Sequence, residues 1–140
     1  MSDFNSNLIA DLRAHAGQPS DGPFVGRPLL IIGTTGARSG LHRESPLVYS
    51  RDGDSYVIVA SKGGAPMHPA WYFNILADRR VTVEVDGEIF TTKARVTGES
   101  ERRRLYDLHA AIHPTFAEYE TKTTRVIPVI VLEREASAAA

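Results

Sequence analysis

The chain predicts an α+β domain in which a small, closed or nearly closed, mostly antiparallel β-barrel is flanked by helices. Three observations carry that expectation. Two hairpin signals, Arg51-Asp52-Gly53-Asp54 and Asp86-Gly87, each lie between strand-like runs. Strands do not alternate regularly with helices, which argues against a doubly wound parallel sheet. The 140 residues are 42 % hydrophobic and 24 % charged, ordinary usage for one domain with a single core.

Taken in order, Phe4, Leu8, Ile9 and Leu12 recur at helical spacing with Asp11 and Arg13 opposite. They predict an amphipathic helix over 5–16, ended by Gly17. Residues 18–27, rich in Gly, Pro and polar side chains, form a connector. Leu29-Leu30-Ile31-Ile32 is continuous and apolar, a strand covered on both faces. Residues 34–40 are a turn segment with two glycines, 43–50 the next strand, and 56–60 pairs back across the first hairpin turn. A loop over 61–66 leads to a helix over 68–77 carrying Trp71, Ile75 and Leu76. Residues 81–85 alternate cleanly and 89–96 return after Asp86-Gly87. A charged helix over 99–113 places Leu105, Leu108 and Ile112 on one face. Pro114 interrupts it, a short helix follows around 116–122, and 127–132 is the last strand. About six strands result. The expected organisation is an N-terminal helix in 1–17, a barrel in 24–135 and a disordered tail at 136–140.

Composition excludes several classes of function. A formal net charge of −1 argues against a nucleic-acid partner, so any anion site must be local. The absence of cysteine removes disulfides, thiolate metal sites and a cysteine nucleophile, and fits a cytoplasmic compartment. The first seven residues lack the apolar core of a secretory signal, and no apolar run nears the roughly 18 residues of a membrane span. Peripheral membrane contact through the first helix is an alternative to a flap on the core, although that helix lacks a Lys/Arg-rich face. His15, His42, His68, His109 and His113 show no metal-ligand spacing, so no metal is expected. No Ser/His/Asp elbow motif is present.

Three segments could carry chemistry. Gly36-Ala37-Arg38-Ser39-Gly40, followed by Arg43, offers open backbone and two guanidiniums able to fork onto phosphate or carboxylate oxygens. A solvated hairpin turn with surface arginines is the plainer account of the same residues. Ser61-Lys62-Gly63-Gly64 leaves a buried strand with a hydroxyl, a point charge and open backbone, without the spacing of a nucleotide-hydrolase phosphate loop. His68-Pro69-Ala70-Trp71-Tyr72-Phe73-Asn74 starts a helix with flat aromatic surface nearby, where Trp71 serves as core anchor, stacking surface or both.

These segments, together with Pro46-Leu47-Val48-Tyr49, Ala60-Ser61-Lys62-Gly63-Gly64-Ala65 and Ile127-Pro128-Val129, occur in an order that resembles the deazaflavin-dependent nitroreductase family of actinobacteria, over roughly residues 4–133. The resemblance implies a split β-barrel like that of flavin-nucleotide-binding oxidoreductases. It also implies coenzyme F420, a hydroxy-deazaflavin with a phosphate and a glutamate tail, donating a hydride to a quinone, nitroaromatic or activated alkene. Carried onto this chain, Arg38, Ser39 and Arg43 hold the phosphate and tail. Ser45, Pro46, Leu47 and Val48 line the coenzyme pocket, and Ala60, Ser61, Lys62 and Gly63 lie against ring and phosphate. Trp71, Tyr72 and Asn74 close the site. Ala37 stands where members often carry Arg or Lys. His113, Phe116 and Tyr119 occupy the substrate positions where quinone- and nitro-reducing members present tyrosines. Ser61 and Tyr119 are the candidate catalytic hydrogen-bond or proton donors. The alternatives are an oxidoreductase using flavin mononucleotide (FMN) and a non-catalytic carrier of the deazaflavin. Oligomeric state is not legible.

Overall fold

The computed structural model describes residues 3–22 and 24–135, so the tail expected at 136–140 lies outside the described residues. After helix α1 (Asp3–Ala14) come β1 (Leu29–Thr35), β2 (His42–Val48), β3 (Ser50–Asp52) and β4 (Ser55–Val59). Helix α2 (Ala70–Ala77) precedes the hairpin of β5 (Arg80–Val85) and β6 (Glu88–Val96), and α3 (Glu99–Ile112) and α4 (Thr115–Thr121) precede β7 (Val129–Arg134). The strands make one antiparallel sheet in the order β2-β1-β5-β6-β7-β4-β3.

The two strands at the ends of that order are neighbours in the chain, with Tyr49 alone between Val48 and Ser50. Two residues of chain reach about 7 Å at most, so the sheet has to curl until its ends meet. The result is a split barrel. Its interior is filled by Leu30, Ile32, Ile58, Val81, Val83, Ile130 and Leu132 from the strands, with Trp71 and Ile75 of α2 inserted among them. On the outside, α3 and α4 cover β4 and β7 through Leu105, Tyr106 and Phe116 against Val57, Val59, Val129 and Val131. Leu8, Ile9 and Leu12 of α1 cover Leu29 and Ile31. β1 is therefore covered on both faces, as its unbroken apolar run requires. Arg13 fastens α1 further, reaching Glu44 on β2 and Glu84 on β5 at 3.1 Å.

Three expectations change. The strand expected at 43–50 is broken at Tyr49, and its far end becomes β3, which raises the count to seven strands. The first helix runs Asp3–Ala14 rather than 5–16, because Ala16 and Gly17 both take left-handed φ and the Gly17 N–H closes onto the Leu12 carbonyl at 2.8 Å. The face of α3 is also rotated. Leu108 and Ile112 are 36 % and 48 % exposed, while Arg102, Tyr106 and His109 are buried beside Leu105. The polar side chains go inside because each finds a partner: Tyr106 Oη donates to the Phe116 carbonyl at 2.5 Å, Arg102 donates to the Ile127 carbonyl at 3.2 Å, and His109 Nδ1 meets Ser50 Oγ at 2.8 Å.

Candidate active site

Two concavities meet at the barrel mouth. An inner cavity of about 560 Å³ is walled by Ser45, Pro46, Leu47 and Val48 of β2, by Ser61, Lys62 and Gly63, by Trp71, and by His113, Phe116 and Tyr119. An outer groove of about 1000 Å³ carries Arg38, Ser39, Arg43 and Asn74. The two share Asn5, Ser45 and Trp71, so they lie side by side, each of ligand size. Their charge is lopsided for a chain of net charge −1. The described lining of the inner cavity includes Arg27 and Lys62 and no carboxylate. The groove's acid, Glu44, is engaged by Arg13, which holds its carboxyl below the usual range.

The groove is built on the β1–β2 turn. Gly36 N–H donates to the Leu41 carbonyl at 2.8 Å, and Ser39 Oγ accepts the Leu41 N–H at 3.1 Å. Asn74, 9 % exposed, pins the turn to α2: its Oδ1 accepts the Ala37 N–H at 2.9 Å and its Nδ2 donates to Thr34 Oγ1 at 3.1 Å. Arg38 and Arg43 are thereby presented from a fixed backbone.

The loop over 61–65 is fixed by a residue not singled out from sequence. Arg125 donates to the carbonyls of Ser61 (2.7 Å), Ala65 (2.8 Å) and Ala60 (3.2 Å) and meets His68 Nδ1 at 2.8 Å. Burial and this guanidinium push the His68 pKa down, so Nδ1 keeps its lone pair for Arg125. Lys62, Gly63 and Gly64 follow one another in left-handed φ of 47°, 64° and 83°. A Cβ on Gly64 would stand 2.9 Å from Lys122 Cβ and 3.1 Å from the Tyr119 carbonyl, so only glycine lets the lysine loop touch α4.

The remaining wall is aromatic. The His113 and Phe116 rings lie 6.0 Å apart, and those of Phe116 and Tyr119 5.1 Å. His113 donates from Nε2 to the Tyr49 carbonyl at 3.0 Å, which leaves Nδ1 as acceptor toward Arg27 Nη1 at 3.4 Å. Burial holds this imidazole below its ordinary pKa, with Arg27 adding to the effect.

Of the residues expected from sequence, Ser45, Pro46, Leu47, Val48, Ser61, Lys62, Gly63, Trp71, His113, Phe116 and Tyr119 line the inner cavity, and Arg38, Ser39, Arg43 and Asn74 the groove. Two are not brought there. Ala60 is fully buried in the barrel core and offers its carbonyl to Arg125. Tyr72 packs against His68 and Phe73, with ring centroids 4.8 and 5.7 Å away.

The model of the F420H(2)-dependent quinone reductase family matches residues 8–134. The chain belongs to that family. An F420H(2)-dependent quinone reductase of Mycobacterium tuberculosis is 39 % identical over 110 residues, 76 % of this chain and 74 % of that one. A solved structure described as an F420-H2 dependent reductase has a TM-score of 0.71 at 42 % identity, over 76 % of this chain and 95 % of the other. A second, described as a domain-swapped dimer, has a TM-score of 0.73 at 36 % identity, over 91 % and 93 % of the two chains. Membership makes this chain an F420-dependent oxidoreductase of split-barrel fold and favours the deazaflavin over FMN.

Proposed function

We propose that this reductase binds reduced F420 across groove and inner cavity and reduces a quinone lying against the His113, Phe116 and Tyr119 wall. The observation that carries the reading is a basic groove set directly beside an aromatic-walled cavity whose described lining has no carboxylate. That space suits a coenzyme with an anionic arm and a flat ring. Arg38 and Arg43 hold the arm as charge-assisted donors, Ser39 shapes their turn, and Lys62 adds a cation from the wall of the inner cavity. Ser45 to Val48 and Trp71 confine the ring.

Bound reduced F420 supplies a hydride. The chain's own part is to keep water out of the cavity and to stabilise the quinone oxygen that gains negative charge. Ser61 and Tyr119 are two hydroxyl donors lining the cavity, positioned by the Arg125-bound loop and by α4. Leu8, Ile9 and Leu12 are used on β1, so any contact with a lipid surface falls to other residues of α1. Among the described residues no helix is long and apolar enough to cross a membrane.

The test is an anaerobic titration with reduced F420 and reduced FMN side by side, followed by a quinone panel. Saturable binding of the deazaflavin and its oxidation by quinone are expected. Lys62→Ala and Arg38→Ala should each weaken deazaflavin binding by about tenfold, the order of one charge-assisted contact. Normal binding in both variants removes this site assignment.

A further inference from the structure

We infer that Arg27 forms an anion subsite at the acceptor end of the inner cavity, so that the preferred acceptor is a quinone carrying a carboxylate arm. This rests on the hydride-transfer reading above and adds the charge of the substrate to it.

Arg27 stands in the connector before β1, held by a turn in which its N–H donates to the Phe24 carbonyl at 2.9 Å. It lines the inner cavity but not the groove where Arg38 and Arg43 lie. Seven other arginines, Arg13, Arg80, Arg95, Arg102, Arg103, Arg104 and Arg134, have a carboxylate within ion-pair distance. Arg27 has none among the described residues. Its side-chain hydrogen bond is the long one to His113 Nδ1. A guanidinium has five N–H donors in a planar fork. One therefore turns toward a neutral imidazole while the others are available to a ligand.

The arrangement also orients the fork. The Tyr49 carbonyl fixes the His113 ring, and the ring's bare nitrogen fixes one edge of Arg27. A half-buried, oriented guanidinium with no counter-ion among the described residues, in a cavity whose described lining has no acid, matches a carboxylate oxygen pair better than any neutral group. The coenzyme's own anionic arm already has Arg38, Arg43 and Lys62. What is left for Arg27 is the other ligand.

The experiment compares a 1,4-naphthoquinone bearing a propanoate arm with its propanamide isostere, whose ring is equally oxidising. Binding is read by quenching of Trp71, the single tryptophan, which lines the cavity. Turnover is read by oxidation of reduced F420. In the wild type the acid should bind about tenfold more tightly than the amide, and its kcat/KM should exceed the amide's by a similar factor. In Arg27→Gln the ratio should fall below about twofold, and Arg27→Lys should restore part of it. Equal binding of acid and amide by the wild type overturns the inference, as does a preference that survives Arg27→Gln. A loss of F420 affinity in Arg27→Gln also overturns it, since Arg27 would then serve the coenzyme. If the acid binds selectively through Arg27 yet neither quinone is reduced, the subsite stands and the hydride-transfer reading fails.

Discussion

Asn74 ties the basic groove to the barrel with both ends of one amide, on Ala37 N–H and Thr34 Oγ1. Asn74→Leu leaves the buried Thr34 hydroxyl without its partner, at a cost of about 1–3 kcal/mol, and releases the N–H of the exposed Ala37. Freed from α2, the turn bearing Arg38 loses its fixed geometry, and F420 affinity should fall about tenfold. Urea unfolding and a coenzyme titration of the variant measure the two effects separately, and unchanged affinity would mean the turn is rigid without Asn74. At this scale the site was partly legible. Glycines beside cations at strand ends mark the basic turn and the lysine loop: either alone reads as an ordinary turn, and the pair at two strand ends points to a site. Arg125 and Arg27 gave no such signal. Each is a single arginine in a connector, and only folding reveals that one is wrapped in carbonyls and the other faces a cavity. Ala60, next to the end of β4, sits in the core, while Ser61 after it lines the cavity, so adjacency in sequence does not carry both into the site.

Two adjacent glycines separate local from long-range effects in the coupling of the 62–64 turn to α4. Gly63 and Gly64 both have left-handed φ, yet a Cβ on Gly63 meets nothing within 4 Å whereas one on Gly64 meets Lys122 and Tyr119. Gly63→Ala should cost about 1 kcal/mol through the backbone alone. Gly64→Ala bears that cost and also pushes α4 away, so it should raise KM for the quinone at least threefold by displacing Tyr119, with less effect on F420 binding. Equal KM values in the two variants would show that loop and helix are uncoupled. The elements themselves were legible to the extent that local signals mark them. The turn at Gly87 and the run from Leu29 to Ile32 mark β5, β6 and β1, and the turn at Gly53 marks the start of β4. The short β3 escaped because its pairing with β4 is set by the sheet and not by its own three residues. The face of α3 was misread for a related reason: Leu105 belongs to two possible stripes, and partners for Tyr106, His109 and Arg102 decide between them.

The molecule as a whole is built to be stable near neutrality and to weaken in acid. His109, fully buried, is pushed from its ordinary value of 6.5 to about 3 by burial and by the neighbouring His113. Its ring faces His113 and Phe116 at 4.8 and 4.4 Å, and its Nε2 has no partner among the described residues. A depressed histidine pKa means that the unfolded chain takes up the proton first. The stability is complete above pH 6.5 and drains as the pH falls toward 3. Between pH 7 and pH 5 this single site accounts for a loss of about 2 kcal/mol, and His68 and His113, both pushed down, act in the same direction. Urea midpoints at the two pH values should differ accordingly, and His109→Gln should remove about half or more of the difference. A wild type equally stable at both would contradict the burial of a neutral ring. One further consequence concerns the order in which the chain leaves the ribosome. β7 emerges after every other described strand, yet in the sheet it stands between β6 and β4. Until it arrives, the nascent chain can hold β2, β1, β5 and β6 as one ribbon and the β3–β4 hairpin as another, each with a bare edge. The segment that rivets them carries Arg125 just ahead of it, so barrel closure and the setting of the Ser61–Ala65 loop fall to the same late stretch of chain.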